Sequence, residues 1–97
     1  MIKLDAGNVQ LKPSQRRQLM ASLRRSLRLG QRLGDFLLTI TLRRIGRMYE
    51  MRARVHDRAG DFLCRSRQSG WREAVRDLTR ALSVGLHDQC VRRARVA

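Results

Sequence analysis

From residue 35 to residue 68 the chain alternates apolar and polar positions. Phe36, Leu38, Ile40 and Leu42 alternate with Leu37, Thr39, Thr41 and Arg43. Tyr49, Met51, Ala53 and Val55 alternate with Glu50, Arg52, Arg54 and His56, and Phe62, Cys64 and Ser66 alternate with Leu63, Arg65 and Arg67. A period of two marks β-strands with one buried face. Ile45-Gly46-Arg47 joins the first pair of strands and Asp57-Arg58-Ala59-Gly60 the second, lengths that suit antiparallel hairpins. A shorter strand precedes them, with Ile2 and Leu4 alternating with Lys3 and Asp5 before Gly7-Asn8 breaks it.

Elsewhere the period is helical. Pro13-Ser14 reads as a helix start with Ser14 as the N-cap. Leu19, Leu23 and Leu27 follow at i, i+4 spacing, and Met20 and Leu33 extend the stripe. The pattern predicts an amphipathic helix to about Arg32, closed by Gly34-Asp35. After Gln68-Ser69-Gly70 a second helix buries Ala74, Val75, Leu78, Ala81, Leu82, Gly85 and Leu86. Gly30 and Gly85 within helices cost about 1 kcal/mol each relative to Ala, which points to close approach by a neighbour.

The order is therefore β-α-β-β-β-α, an α+β fold. Two helices with one apolar stripe each must pack on one face of a four-stranded sheet, an arrangement like that of double-stranded-RNA-binding domains with one strand added in front. The first strand is expected to pair parallel, because a helix separates it from the next. The other sheet face stays wet. Ninety-seven residues leave room for one domain, spanning 1–97.

Charge sharpens this picture. Twenty-two Lys and Arg stand against eight Asp and Glu, a net charge of +14. Self-repulsion on this scale destabilises a compact state unless a partner neutralises it. Only Lys3 and Lys12 are lysines. Codon bias in a GC-rich genome accounts for much of the choice of Arg over Lys, but not for the excess of bases over acids. Arginine bonds phosphate bidentately and stacks on bases, so the bias favours nucleic acid.

The arginines fall in four places. Arg16, Arg17, Arg24, Arg25, Arg28 and Arg32 lie on the first helix, off its apolar stripe. Arg43, Arg52, Arg54, Arg65 and Arg67 lie on the open sheet face. Arg43, Arg44 and Arg47 surround the first hairpin, and Arg72, Arg76, Arg80, Arg92 and Arg93 lie on the second helix. Any one cluster could be an ordinary solvated face; together, with few interleaved acids, they point to a polyanion. Arg16 and Arg17 sit in a first helical turn, where the macrodipole favours acids at about 0.3–1 kcal/mol each. A local cost of that kind hints at function.

Catalytic chemistry is not legible. His56 and His87 stand alone, and Cys64 and Cys90 lack ligand spacing. No Ser or Cys has a recognisable base, no carboxylates pair, and no glycine spacing forms a phosphate loop. His87-Asp88 reads as a solvated helix end. No enzyme, cofactor, metal or small-molecule substrate is expected. No signal segment or membrane-length apolar run appears, so a cytoplasmic protein is expected. Of four aromatics, Phe36, Phe62 and Tyr49 fall on the buried face, which argues against base-stacking platforms and favours recognition of structured RNA through its backbone and shape.

The order of elements resembles the short ribosome hibernation-promoting factors, also called ribosome-associated inhibitors or sigma-54 modulation proteins. The resemblance spans nearly the whole chain. It rests on the short first strand, the helix approach Val9-Gln10-Leu11-Lys12-Pro13-Ser14, the amphipathic helix Arg16 to Arg32, and the strands Phe36 to Leu42, Tyr49 to His56 and Asp61 to Arg67. The last helix opens Trp71-Arg72-Glu73-Ala74-Val75-Arg76, where Ala74 and Val75 match the family, the aromatic is displaced to Trp71, and Arg76 replaces an acid. The resemblance implies a factor that binds the small ribosomal subunit, contacts rRNA, and blocks the mRNA and tRNA sites in stress or stationary phase. It implies the short form, without the C-terminal dimerisation domain of longer relatives. Two other readings stay open: a double-stranded-RNA-binding module acting off the ribosome, and a protein-interaction regulator docking on an acidic partner, for which Leu37 and Leu63 on the open face speak.

Overall fold

The computed structural model describes residues 2–30, 36–57 and 60–96, without the side chains of 29, 30 and 93–96. The elements are β1 (Ile2–Asp5), α1 (Pro13–Gly30), β2 (Leu37–Ile45), β3 (Met48–Asp57), β4 (Gly60–Gln68) and α2 (Trp71–Val96). The predicted order and class hold. The expected helix end at Arg32, the stripe residue Leu33, the stop at Gly34-Asp35 and the turn residues Arg58 and Ala59 lie outside the described residues.

The sheet order is β1-β2-β3-β4, with β1 parallel to β2 and the other pairs antiparallel. The alternation does what it predicts. Leu38, Ile40, Leu42, Met51, Ala53 and Val55 are fully or almost fully buried, and Cys64 and Ser66 continue their face on β4. Leu19 and Leu23 of α1 and Leu78, Leu82 and Leu86 of α2 close the core from one side. Burying such a side chain stabilises the fold by about 1.5–3 kcal/mol.

Local chemistry corrects two expected boundaries. The α1 cap is not Ser14. Pro13 takes the first helical position, where its fixed φ fits and its missing N–H costs nothing. Lys12 stands before it; its N–H donates to Gln15 Oε1 at 3.0 Å, and its carbonyl accepts from Arg16 N. The first hairpin loop is also shorter than expected. Ile45 belongs to β2 and pairs with Met48, leaving a two-residue loop, Gly46-Arg47. Gly46 has φ 58° and Arg47 is not positive, the pattern of a type II′ turn.

The β1–α1 connection lies close against β2. Gly7 adopts φ 56°, and a Cβ there would lie 2.4 Å from the Leu42 carbonyl oxygen. Beyond the end of β1, Asn8 substitutes for a strand partner. Its amide donates to Arg44 O at 3.0 Å, and its carbonyl oxygen accepts from Arg44 N at 2.7 Å.

The helices meet through hydroxyls as well as leucines. Ser26 Oγ donates to Thr79 O at 3.3 Å, and Ser83 Oγ lies 3.1 Å from Ser26 Oγ and donates to Thr79 O at 2.9 Å. Ser22 and Ser26 are buried, and their small size lets the helices approach. The Ser26–Thr79 contact, with Ser22 beside Val75, sets α1 and α2 running the same way.

Candidate nucleic-acid interface

Two arginine surfaces result, one on the open sheet face and one on the helix layer. On the sheet, register stacks the side chains in rows. One row is Arg43–Glu50–Arg67, the next Thr41–Arg52–Arg65, the next Thr39–Arg54–Leu63, and the last Leu37–His56–Asp61. β1 adds Lys3 beside Thr39 and Asp5 beside Thr41.

Acids within these rows hold several of the arginines. Glu50 is only 4 % exposed although it lies on the solvent side of the sheet. Arg67 Nη2 donates to its Oε2 at 2.6 Å, and Arg52 Nε lies 3.1 Å from Oε1. The hydrogen bond from Arg67 holds the Glu50 carboxyl below its ordinary 4.5 against the opposing effect of burial, aided by the charges of Arg52, Arg67 and Arg43. At the far end Asp61 accepts from Arg54 Nη2 at 2.7 Å and contacts His56 Nδ1. Its carboxyl lies below the ordinary 3.8 because of the bonds from Arg54 and then His56. Among the described residues, Arg43 and Arg65 are the sheet arginines without an ion pair.

The hairpin cluster divides between the two faces. Arg43 joins the open face. Arg44 points to the other side, with its guanidinium carbon 4.9 Å from the Tyr49 ring centre and Nη1 3.1 Å from the Tyr49 hydroxyl oxygen. Tyr49 in turn meets Trp71 edge-on at 5.6 Å. Arg47 is exposed in the turn. Phe36, Tyr49 and Phe62 pack against the core as expected, and Trp71 does too.

The helix layer differs in kind. Arg16, Arg17, Arg24, Arg25 and Arg28 on α1, and Arg72, Arg76, Arg80 and Arg92 on α2, are exposed. None has an ion pair among the described residues. The side chain of Arg93 lies outside those described. Between the helices a cleft of about 380 Å³ gathers Arg25, Arg72 and Arg76 with Gln18, Ser22 and Thr79, and no acid lines it. Arg25 donates to Ser22 Oγ at 3.3 Å, which aims the guanidinium along the cleft. Because α1 and α2 run the same way, the positive ends of both dipoles lie toward one end of the layer. No acid stands in the first turn of α1 to offset Arg16 and Arg17. Guanidinium and hydroxyl groups gathered in this way can together bond several oxygens of one anion.

Sequence reading placed the arginines on their elements but missed Glu50, Asp61, Lys3, Gln18, Ser22 and Thr79. The strand alternation already placed Lys3 and Glu50 on the open face, without showing the partners of Glu50. The others emerge only from neighbours across strands or helices. No group of three or more His, Cys, Asp or Glu among the described residues could hold a metal, and no described helix is long and apolar enough to cross a membrane.

Known proteins share this architecture. The structure of the N-terminal domain of Thermus thermophilus Protein Y matches with a TM-score of 0.72 at 15% identity, over 89% of this chain and 93% of that one. The structure of a ribosomal subunit interface protein from Coxiella burnetii matches with a TM-score of 0.73 at 14% identity, over 90% and 93%. At these identities the likeness is one of fold. No family model matches the chain, and no curated protein matches its sequence.

Proposed function

We propose that this chain is a cytoplasmic ribosome-binding factor that silences translation in stress or stationary phase. In this reading residues 1–97 act as one domain that grips rRNA phosphates of the small subunit while its body fills the mRNA and tRNA channel. The observation that carries it is an unneutralised arginine layer on a fold shared, along almost its whole length, with a ribosomal subunit interface protein. The exposed arginines of both helices supply phosphate contacts, and the cleft of Arg25, Arg72 and Arg76 is their centre. No step requires a cofactor or a reaction.

Pelleting of purified small subunits over a salt series tests the proposal. If about six phosphates are neutralised, the log–log salt slope is near −4 to −5, at about 0.7–0.9 per phosphate. Protein that never travels with the small subunit at low salt sinks the idea.

One observation favours a second reading. Arg72 and Arg76 are exposed in the first turns of α2, the helix end with which double-stranded-RNA-binding modules approach a duplex. Against it stands β1, paired along its length with β2, which such modules do not need. Affinity for plain duplex RNA equal to that for small subunits would favour this reading.

A further inference from the structure

β4 is an edge of the sheet, and α2 runs beside it. The two are tied at both ends. At one end Ser66 Oγ donates to Ala74 O at 2.9 Å and Gln68 Nε2 donates to Asp77 Oδ2 at 2.5 Å. At the other, Gln89 Nε2 donates to Asp57 Oδ1 at 3.0 Å and lies 3.3 Å from Gly60 O. Between these ties a groove of about 630 Å³ stays open, with Phe62, Leu63 and Arg65 on the strand side and Ala81, Val84 and Gly85 on the helix side. Its floor is built for close approach. A Cβ on Gly85 would lie 2.4 Å from the Phe62 ring, so glycine there lets the ring pack against the helix. Leu63 is 51 % and Val84 58 % exposed, an unusual degree for two apolar side chains flanking one groove.

An edge strand beside an apolar groove is a template for one more strand. Charge decides which strand fits. A second copy pairing along β4 would set Arg65 and Arg67 against their twins, on chains that each carry +14. Like charges directly opposite destabilise a strand pair. An acidic strand meets the reverse condition. Arg65 on the strand and Arg80 and Arg92 on the helix line the groove without an ion pair among the described residues, against two acids, Asp77, which accepts from Gln68, and Asp88.

We propose that this groove takes an extended acidic segment of a partner protein as a fifth strand along β4. Its apolar side chains, at every second position, pack on Ala81 and Val84. An acid between them pairs with Arg65 on the open side, and acids at the segment's ends meet Arg80 and Arg92. The groove lies apart from the cleft of Arg25, Arg72 and Arg76, and of the arginines proposed to contact phosphate it shares Arg80 and Arg92.

A fluorescein-labelled octapeptide of alternating valine and glutamate serves as the probe, read by anisotropy and by amide-shift mapping of the full chain at physiological salt. A companion peptide of equal charge carries backbone N-methyl groups at alternate residues. Shifts confined to β4 and the groove side of α2 are expected, with binding weakened at least about tenfold by N-methylation, as lost backbone hydrogen bonds require. Arg65→Glu and the exposed-site change Val84→Glu weaken the unmodified peptide to a similar degree, and circular dichroism confirms that both variants fold. Equal binding of the N-methylated peptide overturns the proposal. So do shifts spread over the arginine surfaces, absence of binding, the same groove shifts with a single-stranded RNA oligonucleotide, or self-association through β4.

Discussion

The helix layer carries nine described arginines and the open sheet face five, and the two differ further in how much of that charge is free. On the sheet, Glu50 and Asp61 engage Arg52, Arg54 and Arg67, and the network rigidifies the face while reducing its field. On the helices no described arginine has an ion pair, and the interhelical cleft has no acid in its lining. The α1 dipole, with no acid in its first turn, adds to the positive potential, whereas Glu73 offsets that of α2. Counting arginines along a sequence therefore overstates the sheet and understates the helices. The alternating arginines of β3 and β4 stabilise the fold as much as they advertise a partner. The helix arginines form no ion pair among the described residues, and the side-chain bond of Arg25 is to Ser22 Oγ on its own helix.

The largest effect that could break this contrast lies in the cleft. Arg25→Ala, Arg72→Ala and Arg76→Ala together should weaken small-subunit binding by at least about a hundredfold, since bonds to charged groups contribute about 1.5–3 kcal/mol each. The same variant should melt at the wild-type temperature, because its arginines hold no described ion pair.

Sheet variants should show the opposite profile. Arg52→Ala with Arg67→Ala leaves the buried Glu50 carboxylate without its two partners, and Tm should fall clearly. Acid sharpens the point. A carboxyl held below its unfolded value stabilises the fold above that value, and the contribution is lost as pH falls through the folded pKa. Stability of the wild type should decline as pH drops below about 4.5, the ordinary value from which Glu50 is lowered. Urea midpoints between pH 6 and pH 3, on an approximate scale set by carboxyl titration, should fall less steeply for Glu50→Gln.

A smaller effect is expected from the sheet arginines without ion pairs. Arg43→Ala with Arg65→Ala should cost no more than about tenfold in small-subunit binding, the loss of one charge-assisted bond. A larger loss would move the interface onto the sheet. The smallest effect separates function from stability on one helix. Arg16→Glu with Arg17→Glu should raise stability by about 0.3 kcal/mol per site, the lower end for screened surface charges near a dipole. Binding should weaken at the same time. Improved stability with unchanged binding would make those two arginines bystanders.

Much of this fold is legible in the sequence because the signals are local. Alternation set the buried faces of β2, β3 and β4, and the i, i+4 leucines set those of α1 and α2. The α1 cap was misread because Ser14 is a common cap type, whereas Pro13 fits best at the first helical position and Gln15 can reach back to Lys12. The burial of Glu50 depends on register, and register depends on the first loop being Gly46-Arg47 alone; only then does Arg43 stand opposite Glu50. The cleft was harder still. Its hydroxyls, Ser22 and Thr79, interrupt the apolar stripes that announce the helices, and only helix-to-helix packing shows that they line a site with Arg25, Arg72 and Arg76.

The salt dependence of small-subunit binding tests the central claim most directly, measured for the wild type, the cleft triple variant and the Arg43, Arg65 double variant. If the helix layer is the interface, the triple variant's log–log slope should be shallower by about 2–3 units, at about 0.7–0.9 for each lost phosphate contact. The double variant should keep most of the wild-type slope. A triple variant with an unchanged slope, beside a double variant whose slope collapses, would contradict the account.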